Sequence, residues 1–326
     1  MSHAYDALQD ALEATEALLF PISLRRWLAL AVAAFFVGGS TGFDVNYNVG
    51  VGAVDVPVRV SGPGTPVGTL FPGTAIPQFL IFFGGALAVG AVLWYFGALF
   101  EFVFVEQLRT RDAKLSDRLG PAIRPGLSLF GFRLLVGLLV TATALFAALL
   151  PAAFGVAGVA LVLAFLPGLF VVGSGLWLAN RLTTDFVVPV MIATGDGFVD
   201  AWRAFWTELR KERREYGLYL LVRILLGLLA SVVLAVGYLA TALVVGLPLG
   251  ILFLATFHTV AVFVSVSLAQ TVAVLSLLAG ATIVVVAGTV LVAVPVRTYL
   301  RYYALFVLGG ASPAYDLVGE IREEMD

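Results

Sequence analysis

Residues 79–100 are an unbroken run of apolar side chains and glycines, 22 residues long. At about 1.5 Å per residue, a helix of that length matches the ~30 Å hydrocarbon core of a bilayer. Comparable runs occupy 134–154, 156–178, 218–245 and 272–294, with one arginine, Arg223, among them. No water reaches a backbone inside lipid, so each segment must satisfy its own polar groups, and a helix does that. Composition agrees. The chain is 61% hydrophobic and 12% charged, whereas an ordinary soluble domain carries about 25% charged residues. With a mean hydropathy of +1.03, too few polar residues remain to cover a soluble fold. The expected class is an all-α integral membrane protein of the cell membrane.

The number of spans turns on two segments. Residues 24–43 supply a further run behind Arg25 and Arg26, whose side chains can snorkel to the interface. Residues 248–270 are apolar but studded with Thr256, His258, Thr259, Ser265 and Ser267. If they do not cross, there are six transmembrane helices, both termini are cytoplasmic, and every Lys and Arg except Arg59 lies inside. If they cross, there are seven, and Arg297, Arg301 and Arg322 move outside. The positive-inside bias is strongest next to span ends. It therefore predicts six, with 248–270 as a re-entrant or outer-leaflet segment; seven is the alternative.

The spans organise the rest. Residues 1–22 read as an acidic amphipathic helix, 23–310 as one transmembrane domain, and 311–326 as a C-terminal helix that Ser312-Pro313 would start. Within 40–77, Val45, Tyr47 and Val49, then Val54, Val56, Val58 and Val60, alternate with other residues. That period of two predicts a small extracellular β-like hairpin. Cytoplasmic helices are expected at 106–125 and 196–215.

The second of these is the clearest local signal. Phe198, Trp202, Phe205, Trp206 and Leu209 share one face of a helix of period 3.6, with charged residues elsewhere. Tryptophans beside a basic face suit a membrane interface. Trp202, Trp206, Arg210, Lys211, Arg213 and Arg214 are the candidate lipid contacts; a helix docked on the domain's own core is the plainer alternative. Asp185, Pro189 and Pro295 are candidate helix breaks. Arg181 stands four residues before Asp185, so a local ion pair is expected. Proline removes a backbone donor where a membrane helix would turn onto the surface.

A loose repeat is present. Phe102-Val103-Phe104-Val105 and Phe186-Val187-Val188-Pro189 begin two units, which end at 132–139 and 222–229 with Arg133 and Arg223 in second place. At these same residues the chain resembles a family. Phe-Val-Phe-Val-Glu at 102–106, Gly-Leu-Ser-Leu-Phe-Gly-Phe-Arg at 126–133, Asp-Phe-Val-Val-Pro-Val-Met at 185–191, Asp-Ala-Trp at 200–202 and the stretch at 298–309 are similar to an uncharacterised multi-pass membrane family of haloarchaea. More distantly, the order of span, proline, Ala-Trp helix and span is similar to the membrane domain adjoining some bacterial glycerophosphodiester phosphodiesterases. The resemblance implies a membrane scaffold and transfers no catalytic residue.

Nothing in the sequence assembles a reaction centre. There is no cysteine and there are two histidines, His3 and His258. Clustered histidines and carboxylates for a metal are therefore not expected, and no cofactor is called for. Gly173-Ser174-Gly175 invites comparison with the Gly-x-Ser-Gly of rhomboid proteases, but Val172 stands at the first place. The stretch reads instead as a close-packing surface. The net charge of -2 does not suggest nucleic acid. The expected role is non-enzymatic: a membrane scaffold or envelope factor engaging lipid headgroups, a partner protein or a second copy of itself. The alternative is a transporter or flippase-like protein for a small or lipid substrate.

Overall fold

The computed structural model describes residues 3–40, 75–112, 115–263 and 266–325; the 40–77 loop expected to form a hairpin lies almost wholly outside them. Among the described residues every regular element is helical. They are α1 (His3–Leu19), α2 (Leu24–Ser40), α3 (Ala75–Thr110), α4 (Ser116–Leu182), α5 (Val188–Thr194), α6 (Phe198–Lys211), α7 (Arg213–Thr241), α8 (Leu247–Phe263), α9 (Val266–Gly288), α10 (Val294–Ala311) and α11 (Gly319–Met325).

Two long helical hairpins dominate. The 67-residue α4 doubles back at Gly155, whose φ of 54° and ψ of −129° suit only glycine. The reversal is required by contact, because Arg133 before the turn and Thr184 after it lie 3.0 Å apart. In the second hairpin α7 and α8 run antiparallel to α9 and α10. Tyr219 stacks on Tyr303 at one level, and the Tyr238 hydroxyl meets Thr289 at 3.0 Å further along. Here the helices approach so closely that a Cβ on Gly288 would sit 2.5 Å from the Tyr238 ring.

Three short π-helical segments interrupt these helices, at Thr183–Val187, Ala242–Gly246 and Thr289–Ala293. Each is followed, two residues on, by a proline: Pro189, Pro248 and Pro295. The residue before each proline donates its N–H five residues back, Val188 to Thr183, Leu247 to Ala242 and Val294 to Thr289. A proline in a helix lacks its own donor, and its ring presses on the carbonyl four residues earlier. That carbonyl belongs to Asp185, Val244 or Leu291, each inside the widened turn. The π turn relieves the clash while the helix continues.

This corrects several expectations. The chain does not break at Asp185, Pro189 or Pro295; the first reversal after Asp185 comes at Gly195, with φ of 74°. Where a re-entrant or outer-leaflet segment is expected at 248–270, residues 247–263 are α8, which continues α7 through the π turn. Residues 106–125 form no helix of their own, being the end of α3 and the start of α4. The 196–215 helix is α6, and Glu212 separates it from α7. Ser312 occupies the expected cap position, but no side-chain cap bond is made there.

The packed core sits at one end. It joins α1, the ends of α2 and α3, the segment 182–191, α6, the start of α7 and most of α10. Phe186 is its hub, with ring centroids of Tyr219, Tyr216 and Phe205 at 4.6, 5.1 and 5.2 Å. The helical shafts beyond are bare. Val156 is 87% exposed and Val244 74%, in rows of apolar side chains far larger than a soluble surface carries. Among the described residues five helices are long and apolar enough to cross a membrane: Ala88–Thr110, Asp117–Pro151, Ala153–Thr194, Arg213–Thr259 and Gln270–Ala311. The α2 helix is shorter, at 17 residues. The expected packing surface at Gly173 and Gly175 is unused among the described residues, for a Cβ on either would meet nothing within 4 Å.

If Phe186 is the hub, Phe186→Ala should cost about 3–5 kcal/mol, as for other large core aromatics. Thermal unfolding in detergent checks this; an unchanged melting temperature would remove the hub from the account.

Candidate functional site

The charged residues of the shafts converge at the packed end. Glu101 on α3 is fully buried, and Asp185 in the first π turn is 4% exposed. Four arginines surround them. Arg133 on α4 donates from Nη2 to Glu101 Oε1 at 2.9 Å, and the same nitrogen reaches the Thr184 hydroxyl at 3.0 Å. Arg181, one turn before Asp185, places Nε 2.7 Å from its Oδ2. That is the ion pair the i, i+4 spacing predicts. Arg223 on α7 lies 3.8 Å from the same oxygen. The Tyr219 hydroxyl, one turn earlier on α7, donates to it at 2.7 Å.

Arg301 on α10 closes the arrangement. Its Nη2 donates to Glu101 Oε2. Its Nη1 donates to the Thr184 carbonyl at 2.6 Å and lies 3.6 Å from Asp185 Oδ1. One guanidinium thus bridges both carboxylates. A planar fork with five fixed donors does this from separate nitrogens, whereas an ammonium offers a single one. Charges this deeply buried are tolerated only when paired and hydrogen-bonded. Every carboxylate oxygen in the cluster has a cationic neighbour.

The loose repeat maps onto this geometry. Glu101 and Asp185 each stand one residue before the repeated Phe-Val, and Arg133 and Arg223 share the second place of the closing segment. Each carboxylate meets the arginine of its own unit, at 2.9 Å in the first and 3.8 Å in the second. Arg301 belongs to neither unit and joins them.

Of the candidate lipid contacts, Trp202 is turned inward. Its indole Nε1 donates to Thr183 at 3.2 Å, and its ring packs edge-on to Phe205. The α6 helix docks on the core through Ala201 and Phe205, both fully buried. Docking explains the aromatic stripe, so the plainer alternative accounts for most of that face. Trp206 stays outside, 45% exposed, with the Arg210 guanidinium 5.2 Å over its ring. Lys211 pairs with Glu208 at 2.6 Å, whose hydrogen bond and charge hold the ammonium above its ordinary pKa. Arg213 and Arg214 are exposed at the start of α7. Pro189 is buried beside Asp185, and Pro295 lies at the start of α10.

A cleft of about 690 Å³ opens between the two units. Its floor is apolar, including Phe102, Val103 and Met191, and its rim carries Glu106, Arg118, Arg124 and Asp196.

Long apolar shafts anchored in one buried ionic cluster are the build of a helical membrane protein. The chain belongs to the DUF7544 family, a family of unknown function, which matches residues 2–318. No curated protein and no solved structure matches it.

Sequence reasoning missed Glu101, Arg133, Tyr219, Arg223 and Arg301 as one cluster. Reading the repeat one residue further toward its start would have paired the two carboxylates. Replacing Glu101 by glutamine leaves Arg133 and Arg301 facing each other in the interior. Glu101→Gln should destabilise by about 3–5 kcal/mol, whereas Thr207→Ala, on the exposed face of α6, should stay within about 0.5 kcal/mol. Parallel unfolding curves in detergent test this, and equal shifts for both variants would show that the cluster is not a stabilising lock.

Proposed function

We propose that this is a non-enzymatic, six-span membrane protein with both termini cytoplasmic, a scaffold or envelope factor that engages anionic lipid headgroups at its packed end. One observation carries the reading. Arg210 lies over the exposed Trp206 ring, and Arg213 and Arg214 stand exposed where an apolar span begins. An amphipathic ring at headgroup depth beside guanidinium groups is the arrangement that anionic lipid favours, at roughly 1 kcal/mol per basic residue. The six-span topology keeps this cluster on the same side as the other basic residues.

A second reading is a transporter or flippase-like protein for a small or lipid substrate. What favours it is the cleft of about 690 Å³ between the two repeated units, apolar below and charged at the rim. An amphiphile suits such a lining.

Native mass spectrometry from mild detergent separates the outcomes. With Arg210, Arg213 and Arg214 changed to glutamine, the protein should lose its preference for anionic over zwitterionic lipid while remaining folded. An unaltered preference would end the headgroup reading. Substrate-dependent flux in liposomes would move the choice to the second.

A further inference from the structure

Three span ends meet at the cleft between the two units. The apolar spans Ala88–Thr110 and Ala153–Thr194 finish beside it, and Asp117–Pro151 starts there. Phe102, Val103 and Met191 on its floor belong to those spans. Its charged residues lie within about two turns of the span ends or just past them. The last turns of a membrane helix sit at headgroup depth whichever way the chain crosses. A lipid beside these helices can therefore lay its chain on the floor and its head at the rim.

Part of the rim's charge is used inside the chain. Glu106 pairs with Arg109 at 3.6 Å, and Asp117 also has a partner. Arg118 gives one guanidinium nitrogen, Nη2, to the Thr110 hydroxyl. Its other nitrogen, Nη1, has no partner among the described residues. Of the buried side-chain atoms left so, this is the one whose residue lines the cleft. The side chains of Arg124 and Asp196 are exposed and make no hydrogen bond or ion pair among the described residues. The rim thus offers two guanidinium groups at the start of α4 and one carboxylate in the turn between α5 and α6.

That set selects a kind of head. Guanidinium forks match phosphate oxygens, and a carboxylate accepts from a hydroxyl or an ammonium. A bare phosphate would leave Asp196 facing negative charge. A bare cation would leave both arginines unanswered. A phosphodiester followed by a hydrogen-bond donor satisfies all three. We propose that the cleft binds one membrane phospholipid, its phosphodiester held by Arg118 and Arg124 and its head carrying a hydroxyl or ammonium donor for Asp196. The site rests on the cleft that favours the transporter reading and names the substrate class for it. It is separate from the Trp206 and Arg210 surface.

The test uses the full chain, delipidated in mild detergent, and titrates short-chain diacyl phosphatidylglycerol, phosphatidylethanolamine and phosphatidylcholine of equal chain length. Choline keeps the charge of ethanolamine and has no N–H to donate. Wild type should bind the glycerol and ethanolamine heads about tenfold or more tightly than choline. Asp196→Ala should erase that preference and leave choline binding unchanged, whereas Arg124→Gln should weaken all three. Both side chains are exposed and unpartnered, so neither change should lower the melting temperature; should one do so, Asp196→Asn or Arg124→Lys replaces it, with the same direction expected. No saturable binding, equal affinity for the three heads, a preference that survives Asp196→Ala, or affinities unmoved by Arg124→Gln overturns the proposal. A preference lost on changing Arg210, Arg213 and Arg214 and unmoved by the cleft variants also overturns it, and leaves the surface headgroup reading standing. The expected binding pattern without flux in liposomes upholds the site and ends the transporter reading.

Discussion

The bridge of Arg301 between Glu101 and Asp185 is the contact on which the rest depends. It ties α3, α10 and the end of the first hairpin at one point. Arg133 brings in the outgoing arm of α4, and Tyr219 brings in α7. In a low-dielectric interior such charges are costly alone and strongly held together. Five helical segments therefore meet in one geometry at this end. Beyond it no comparable polar tie is needed. Lipid is as apolar as leucine, so the shafts gain little by packing on each other. That explains why the core is confined to one end while Val156 and Val244 stand exposed.

Asp185 reaches the bridge because of the π turn that carries it. A widened turn inserts an extra residue and rotates the helix beyond it, so Thr183 to Val187 are all buried, facing several neighbours at once. Thr183 receives Trp202, Thr184 receives Arg133 and Arg301, Asp185 receives Arg181 and Tyr219, and Phe186 fills the aromatic hub. Pro189 shapes this, since its ring displaces the carbonyl of Asp185 from a regular helix. The proline read from the sequence as a break is the residue that lets the helix continue with its polar side chains re-aimed.

How far the sequence spoke depends on the physics of each part. Helical class was plain, because runs such as 79–100 leave a backbone in lipid no other choice. The reversal at Gly155 falls between the apolar runs 134–154 and 156–178, and it has a local cause, a positive φ that only glycine accepts readily. The Arg181–Asp185 pair was plain from spacing alone. The cluster was not, since Glu101 and Arg301 are two hundred residues apart and meet only through tertiary structure. The inward turn of Trp202 was hidden for a related reason. An amphipathic stripe shows that one face is buried, but not whether lipid or protein covers it. The partner, Thr183, lies nineteen residues earlier.

The two units are alike in plan and unequal in charge. Four residues before Glu101 stands Gly97; four residues before Asp185 stands Arg181. With glycine at both places each unit would carry one carboxylate and one arginine, and the shared Arg301 would be the lone extra cation. Arg181 alters that balance on one side only. It takes the Asp185 oxygen that Arg223 would otherwise meet closely. In the first unit Arg133 reaches its carboxylate directly, at 2.9 Å. A purely structural lock would work as well with both halves matched. The two halves therefore hold their carboxylates differently, the first through a direct contact from its own arginine and the second through Arg181, with Arg223 at 3.8 Å.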